Sequence, residues 1–132
     1  MGRLIAQAGG VVVCGGLGGV MEAAARGAAE QGGLSLGILP GSDRAQGNPH
    51  LSVALASGLG ELRNGLVVRA SDAAIAIGGS WGTLSEVALA RRAGVPVVWL
   101  SGWSVDGGDG VAVAASAAQA VETIFARLAG DG

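Results

Sequence analysis

The sequence predicts an α/β domain in which a doubly wound parallel sheet carries helices on both faces. Its apolar runs lack the polar alternation of a half-exposed sheet, which is typical of parallel strands that are covered on both sides. Helical stretches alternate with these runs, as in successive βαβ units. Most of the 26 glycines stand at the ends of the runs, where they act as turns and helix stops. These observations predict a Rossmann-like fold.

The first half of the chain begins with a short helix that Gly9-Gly10 ends, followed by a strand of three valines and Cys14. An alanine-rich helix ended by Gly32-Gly33 and a strand broken by Pro40-Gly41 come next. A polar loop at 42–49 leads to a third strand and a helix that carries two arginines. The elements predicted here are helices at 3–8, 20–31 and 60–70 and strands at 11–14, 34–39 and 51–55.

The second half repeats the pattern of strand, helix and strand. Gly94-Val95-Pro96 forms the turn between the helix and the second strand of this pattern. Asp106 and Asp109 stand between glycines, but the segment lacks the other ligands and the closing glutamate of an EF-hand, so we expect a loop and no metal site. The elements predicted here are strands at 73–77, 97–100 and 111–114 and helices at 81–93 and 117–128.

Length and composition exclude several classes of protein. The 132 residues suffice for one domain, at 1–132, and not for two. The formal net charge is −2 and the eight basic residues, all arginines, are scattered, which disfavours binding of a nucleic-acid polymer. No apolar run approaches the roughly 20 residues of a membrane span. Cys14 is alone, so the chain cannot form an internal disulfide, and a reducing cytoplasm fits best.

Two glycine loops follow predicted strands, and ligands of doubly wound sheets bind at the carboxyl ends of the strands. The first comprises Gly15, Gly16, Leu17, Gly18 and Gly19, where a ligand can approach the backbone without meeting a Cβ atom. It lacks the spacing of a dinucleotide fingerprint, and no acidic residue ends the next strand, so NAD is disfavoured. The chain contains no lysine, which excludes a P-loop NTPase.

The second loop, at 78–86, joins a strand directly to a helix. Backbone N–H groups at a helix start lack intrahelical partners, and the helix dipole adds positive potential, so the junction suits a phosphate. Glu86 lies about one turn inside this helix, where a carboxylate could act on a bound phosphoester. We expect Trp81 to pack at the helix start or in a subunit contact, with stacking on a base as the alternative. His50 has no visible partner, and a surface role is expected for it.

Four strings follow one another along the chain: Gly15-Gly16-Leu17-Gly18-Gly19-Val20-Met21-Glu22-Ala23, Ile38-Leu39-Pro40-Gly41, Arg63 and Gly79-Ser80-Trp81-Gly82-Thr83-Leu84-Ser85-Glu86. Their order and spacing resemble those of the LOG superfamily, over almost the whole chain. The superfamily includes the Lonely Guy phosphoribohydrolases, which cleave cytokinin riboside 5′-monophosphates, and a branch that resembles the molybdenum-cofactor carrier protein. Its signature reads P-G-G-x-G-T-x-x-E, preceded by an arginine on the previous helix.

The resemblance implies Arg63 and Glu86 as the catalytic pair. It implies phosphate or cofactor contacts for Gly15, Gly16, Gly18, Gly19, Gly79, Ser80, Gly82 and Thr83. Gly78 replaces the signature proline and Ser80 replaces its second glycine. The Ser80 side chain either narrows access to the phosphate or donates a hydrogen bond to it, and the sequence leaves both alternatives open.

Two functions follow from the resemblance. An enzyme would hydrolyse the N-glycosidic bond of a nucleoside 5′-monophosphate, with Arg63 orienting the ribose phosphate and Glu86 activating water or stabilising charge at C1′, and without a metal or cofactor. A binding protein would use the same loops to carry or sense a nucleotide or a phosphorylated cofactor such as the molybdenum cofactor. The strings Gly18-Gly19-Val20-Met21-Glu22-Ala23 and Ile38-Leu39-Pro40-Gly41 resemble the carrier-like branch more closely than the cytokinin-activating enzymes. An older lysine decarboxylase label of such proteins is rejected, since pyridoxal-phosphate chemistry needs a lysine.

Two expectations concern assembly and the amino terminus. The alanine-rich helices carry few charges for two solvated faces, and the resemblance implies a homo-oligomer, a dimer or a tetramer. Family members open with a strand before the first helix, whereas this chain begins inside that helix. We expect that the true start lies upstream, that residues 11–14 pair directly with 73–77, or that another chain fills the gap, because unpaired buried backbone groups cost about 1–3 kcal/mol each.

Overall fold

A computed structural model describes residues 1–105 and 110–130, so the predicted loop of Asp106 and Asp109 lies outside the described residues. The chain divides into two compact units, Met1–Val67 and Val68–Gly132. All strand pairs in the described ranges are parallel and helices flank them, which confirms the predicted α/β class.

The first unit contains a three-stranded sheet in the order β1-β2-β3. In the register, Val12 lies opposite Ser35, and Leu36 opposite Val53. Short 3-10 turns occur at Arg44–Gln46 and Gly60–Leu62. The elements of this unit are α1 (Gly2–Gln7), β1 (Val12–Cys14), α2 (Val20–Glu30), β2 (Ser35–Leu39) and β3 (Val53–Ala56), and α3 (Arg63–Arg69) begins in it.

The core of the first unit lies between β1 and the two helices before and after it. Val12, Cys14 and Ala28 are buried, and Ile5, Ala6, Met21, Ala24 and Leu51 pack against them. Gly2 brings α1 against α2 so closely that a Cβ atom on it would collide with the Ala24 carbonyl group. Burial of these small apolar side chains positions the loop that follows β1.

The second unit contains a second three-stranded sheet, in the order β4-β5-β6. Its core consists of Val68, Ala76, Val87, Ala90, Val97 and Trp99. The elements are β4 (Ala74–Ile77), α4 (Trp81–Ala93), β5 (Val97–Leu100), β6 (Ala112–Ala114) and α5 (Ala117–Gly130). No helix in the described ranges is long and apolar enough to cross a membrane.

The structure corrects two details of the predicted elements. The helix expected at 60–70 is a 3-10 turn followed by α3, because Gly60 has a φ of +61°, which an α-helix does not allow. The third strand begins at Val53 rather than at residue 51, since Leu51 N–H still bonds to the turn at Asn48. Within the units, β1 pairs with β2 and β4 with β5.

Candidate functional site

The first glycine loop leaves the carboxyl end of β1 and enters α2. Gly15 and Gly16 are buried, whereas Gly18 and Gly19 are exposed at the helix start. Gly16 has a φ of +79° and Gly19 one of +66°, in the left-handed region that favours glycine. A Cβ atom on Gly16 would also lie 2.6 Å from Leu39 Cδ2. The loop therefore presents exposed backbone to a ligand at one end and is anchored in the core at the other.

Arg63, the predicted catalytic arginine, lies against this loop. A Cβ atom on Gly15 would be 2.5 Å from Arg63 Nη2 and 2.8 Å from its Cζ, so the guanidinium group occupies the space that a larger residue would take. Arg63 is half-buried, donates a hydrogen bond from Nη1 to Asn64 Oδ1, and has a buried Nε without a partner among the described residues. An unsatisfied buried N–H of a cation favours an anionic acceptor.

Cys14 precedes the loop and is buried. Burial raises the pKa of its thiol above the ordinary value of 9.0, while a backbone hydrogen bond from Gly16 and the charge of Arg63 act in the opposite direction. The thiol is therefore protonated at neutral pH. This favours a packing role for Cys14 over a nucleophilic one.

Asn48 holds the glycine loop from the other side, and the sequence did not single it out. Its backbone N–H donates to Gly16 O at 2.8 Å, and its side-chain Nδ2 donates to Leu17 O at 3.1 Å and to Gly16 O at 3.4 Å. Its Oδ1 accepts from His50 N at 3.1 Å. The Asn-Pro dipeptide in a polar loop indicated a turn. Nothing in it indicated contacts more than 30 residues away.

His50 is partly exposed, in line with the surface role expected for it, and it has a partner that the sequence did not reveal. Its Nε2 lies 4.0 Å from Glu22 Oε1, and both side chains are partly exposed. Glu22 stands in the first turn of α2. Through Asn48 and this pair, the loop at 42–50 contacts the glycine loop at Gly16 and Leu17 and the first turn of α2 at Glu22.

The second glycine loop follows β4. Gly78 has a φ of +81°, donates its N–H to Leu100 O at 2.9 Å and accepts from Trp99 Nε1 at 2.8 Å. Proline is fixed near a φ of −65° and has no N–H. The replacement of the signature proline by Gly78 therefore has a conformational reason in this chain.

Ser80 is the N-cap of α4. Its Oγ accepts from Thr83 N at 3.0 Å and lies 2.9 Å from Thr83 Oγ1. The cap occupies one of the backbone donors expected to hold a phosphate and leaves those of Trp81 and Gly82 at the helix start. The Ser80 side chain thus binds its own helix, an outcome that neither of the two alternatives for Ser80 included.

Glu86 lies on the same helix, one turn beyond Gly82, and is half-buried. Gly79, Ser80, Gly82 and Thr83 are therefore grouped with Glu86 in the second unit, as predicted from their spacing. Arg63 is grouped with the first glycine loop in the first unit. Within the described ranges, no cluster of three or more histidine, cysteine, aspartate or glutamate side chains could hold a metal ion.

Two tryptophans flank the start of α4. The rings of Trp81 and Trp103 are 5.0 Å apart between centroids and meet edge to face at 80°. Trp81 is 78% exposed, whereas Trp103 is 40% exposed. A Cβ atom on Gly79 would collide with Trp103 Nε1, so glycine at position 79 is what lets the indole approach the loop. Trp103 was not recognised in the sequence as part of a site.

A cavity of about 280 Å³ in the second unit lies next to this aromatic pair. Its walls are mainly apolar, with Arg91 and Ser104 as polar groups. The other lining residues are Leu84, Val87, Ala88, Trp99, Trp103, Val105, Val111 and Val113. Trp103 therefore contacts both Trp81 and the interior of the unit.

The chain is similar to several known proteins. It is 37% identical to the molybdenum cofactor binding protein of the phototrophic bacterium Rippkaea orientalis, with a TM-score of 0.90 over 96% of this chain and 83% of that one. It is 36% identical to the molybdenum cofactor carrier protein of Chlamydomonas reinhardtii, with a TM-score of 0.87 over 97% of this chain and 83% of that one.

An uncharacterized protein of Archaeoglobus fulgidus is 45% identical over 100 residues, which are 76% of this chain. The matched part is 66% of the archaeal protein, just under two thirds of its length. The family model of the SLOG cluster4 family matches residues 1–126. These matches confirm the Rossmann-like fold and the resemblance to LOG-like proteins, and the chain belongs to the SLOG cluster4 family.

Proposed function

We propose that this protein binds a small phosphorylated ligand of the molybdenum-cofactor type and carries it without turnover. One observation carries the proposal: over 96% of its length the chain matches a molybdenum cofactor binding protein with a TM-score of 0.90. The second match, to a molybdenum cofactor carrier protein, supports the same function. As cargo, the ligand undergoes no chemistry on this chain.

The first unit offers a site that fits an anion. The Arg63 guanidinium group lies on the Gly15 backbone, and its buried Nε lacks a partner among the described residues. The exposed Gly18 and Gly19 allow close approach at the start of α2. We assign the positive charge for a phosphate monoester to Arg63 and backbone contacts to Gly15, Gly16, Gly18 and Gly19.

The second unit offers backbone donors at the start of α4. We assign phosphate contacts to Gly79, Ser80, Gly82 and Thr83. The backbone donors for the phosphate are Trp81 N–H and Gly82 N–H, which the Ser80 cap does not occupy. The first turn of α4 contains no acidic residue that would repel an anion.

Binding is tested by expressing the protein in cells that make the cofactor and measuring pterin in the purified protein by fluorescence after oxidation. We expect the wild-type protein to retain pterin and the Arg63→Ala variant to lose it. Arg26→Ala is the matched control, since it removes the same charge from an exposed arginine of the same unit. Wild-type protein without pterin, or an Arg63→Ala variant that retains it fully, contradicts the proposal.

Hydrolysis of a nucleoside 5′-monophosphate is the second candidate, favoured by Arg63 and Glu86 at the positions of the family's catalytic pair. In this reaction the N-glycosidic bond breaks, water adds its oxygen to C1′, and the base leaves with a proton. Glu86 would activate the water or stabilise the oxocarbenium-like charge. Incubation with AMP and isopentenyl-AMP, followed by an assay for free base, separates the candidates. Base release that Glu86→Ala abolishes while ligand binding persists supports the hydrolase, whereas binding without release supports the carrier.

We also propose that the protein is a cytoplasmic homo-oligomer. Several large apolar side chains of the first unit are exposed, among them Val53 and Leu55 on β3 and Leu62 at the turn before α3. Burial of such side chains against a second copy would be favourable.

A further inference from the structure

The indole of Trp81 is exposed at the first residue of the helix to which we assign the phosphate. A side chain of this size is usually buried or placed in an interface, and here 78% of it is accessible. Trp99, in the same unit, is only 4% exposed. Trp103 is 40% exposed, so Trp81 is the most exposed of the three tryptophans of this unit.

An aromatic contact supports the ring of Trp81 on one side and leaves most of it accessible. Trp103 meets it edge to face at 5.0 Å, a favourable geometry for two aromatic rings. Trp103 is itself fixed, because it fits against the Gly79 backbone and lines the cavity beside Leu84 and Val87. A pre-oriented ring loses little conformational entropy when a ligand stacks on it.

Trp81 contributes two potential ligand contacts, its backbone N–H and its indole ring, in the first turn of α4. Its backbone N–H belongs to the donors at the start of α4, and its indole begins at the same residue. A ligand with a phosphate at the helix start and a planar ring a few bonds away could use both. The absence of an acidic residue in this first turn suits the negative charge of such a ligand.

On this geometry, and resting on the proposed function, we propose that Trp81 is a stacking platform for the planar heteroaromatic ring of the phosphorylated ligand. The ligand class is a phosphate monoester joined to a heterocycle such as a pterin or a purine. Ring recognition by stacking depends on the flat π-face and tolerates different heterocycles. Trp103 acts as the positioning residue that supports the platform.

The test compares probes with and without a ring. Affinities of neopterin monophosphate, AMP and ribose 5-phosphate are measured by calorimetry for the wild type, Trp81→Ala and Trp81→Phe. We expect Trp81→Ala to weaken binding of the ring-bearing probes about tenfold and to leave ribose 5-phosphate unchanged. Trp81→Phe keeps a planar ring, so its affinity should stay within about threefold of the wild type. Val113→Ala, which truncates an equally exposed apolar side chain of the same unit, is the control.

Tryptophan fluorescence gives a second readout. A ring stacked on Trp81 should quench its emission, and this quenching should be lost in Trp81→Phe although the ligand still binds. Circular dichroism and thermal unfolding verify that the variants are folded, which is expected for a side chain so exposed.

The outcomes separate this inference from the proposed function. If Trp81→Ala binds the ring-bearing probes with unchanged affinity, the stacking role of Trp81 is contradicted, whereas the proposed carrier function is not. If Trp81→Ala weakens binding of ribose 5-phosphate to the same extent, the substitution acts on the phosphate contacts at the helix start, and this result also contradicts the stacking role. A changed molecular mass with unchanged affinity assigns Trp81 to a subunit contact instead. If the wild type retains no pterin and binds none of the probes, the proposed function fails, and the platform fails with it.

Discussion

Two hydrogen bonds from Asn48 converge on the carbonyl oxygen of Gly16, one from its backbone N–H at 2.8 Å and one from its side-chain Nδ2 at 3.4 Å. The same Nδ2 also donates to Leu17 O at 3.1 Å. Glycine-rich segments have high conformational entropy, so a loop that is to hold a ligand needs external attachment. Asn48 provides this attachment from 32 residues further along the chain.

Replacing Asn48 by alanine should therefore loosen the glycine loop. The side-chain bonds to Gly16 and Leu17 are lost while the backbone bond remains, and we expect the free energy of unfolding to fall by about 1–3 kcal/mol. Ligand affinity should fall as well, because the loop would have to be ordered on binding. Urea unfolding and calorimetry measure the two effects.

The Asn48→Asp variant distinguishes the role of the side-chain Nδ2 donor from that of the Oδ1 acceptor. Aspartate keeps an oxygen for His50 N–H but cannot donate to Leu17 O, so it should resemble Asn48→Ala in ligand affinity. Wild-type affinity in both variants would show that the attachment does not serve binding.

Because Gly15 leaves room for the Arg63 guanidinium group, we expect substitutions at these two residues to have coupled effects on ligand affinity. A Cβ atom at Gly15 would displace the guanidinium group, which lies 2.5 Å away at Nη2, so Gly15→Ala should weaken phosphate binding about tenfold. In an Arg63→Ala background the same substitution should have little further effect, because the displaced group is already absent. Calorimetry on the four proteins of this double-mutant cycle gives the coupling.

Gly65→Ala is the control for the glycine substitution, since a Cβ atom there meets open space. The Cβ at Gly15 would also lie 2.7 Å from Met21 Sδ. Fully additive losses in the cycle would assign the effect of Gly15→Ala to Met21 or to the backbone rather than to Arg63.

Ser80 offers a test of the cap at the second loop. Ser80→Ala should lower the free energy of unfolding by about 1 kcal/mol, whereas Ser80→Gly should cost only a few tenths, as is usual for N-caps. Both variants release Thr83 N–H from the Ser80 hydroxyl. We expect Ser80→Gly, which also restores the signature glycine, to bind the phosphorylated ligand more tightly than the wild type. Weaker binding would instead mean that the hydroxyl group contacts the ligand.

The buried Cys14 thiol should make stability depend on alkaline pH. Its pKa in the folded protein is raised above 9.0, so the folded state keeps a proton that the unfolded chain has lost. The stabilisation is complete below the unfolded pKa and decreases as the pH rises through the folded one, with a slope of up to about 1.4 kcal/mol per pH unit. The sequence has no lysine and no tyrosine, so few other groups titrate in this range.

Urea unfolding of the wild type and of Cys14→Ala between pH 8 and 11 measures this dependence. The variant should be less stable at neutral pH because it leaves a small cavity, and its stability should decline less at high pH. Parallel curves for the two proteins would show that Cys14 is not the titrating group.

Assembly is tested by light scattering at micromolar concentration. We expect the mass of a dimer or a tetramer, and substitution of the exposed Val53 and Leu55 on β3 by threonine should shift the mass downward if this strand is in the contact. A monomeric mass for the wild type would contradict the proposed oligomer.

Much of the fold follows from short-range pattern. The alternation of apolar runs with alanine-rich stretches predicted every helix and strand in the described ranges to within about two residues, except at Gly60. Its φ of +61° is a property of the folded backbone that the glycine allows and does not require. The grouping of Gly79, Gly82, Thr83 and Glu86 on one turn and helix was equally predictable, because helical geometry converts spacing into position.

The sequence by itself determined the α/β class, the two glycine loops and the helix start that suits an anion, because periodicity, glycine stops and capping depend on residues a few positions apart. Only the tertiary structure decided that Asn48 holds the first loop, that Arg63 fills the space above Gly15, and that Trp103 supports Trp81 beside Gly79. These contacts join residues 22 to 48 positions apart, and close packing of whole side chains selects them. No local pattern encodes which distant side chain will fit a given space.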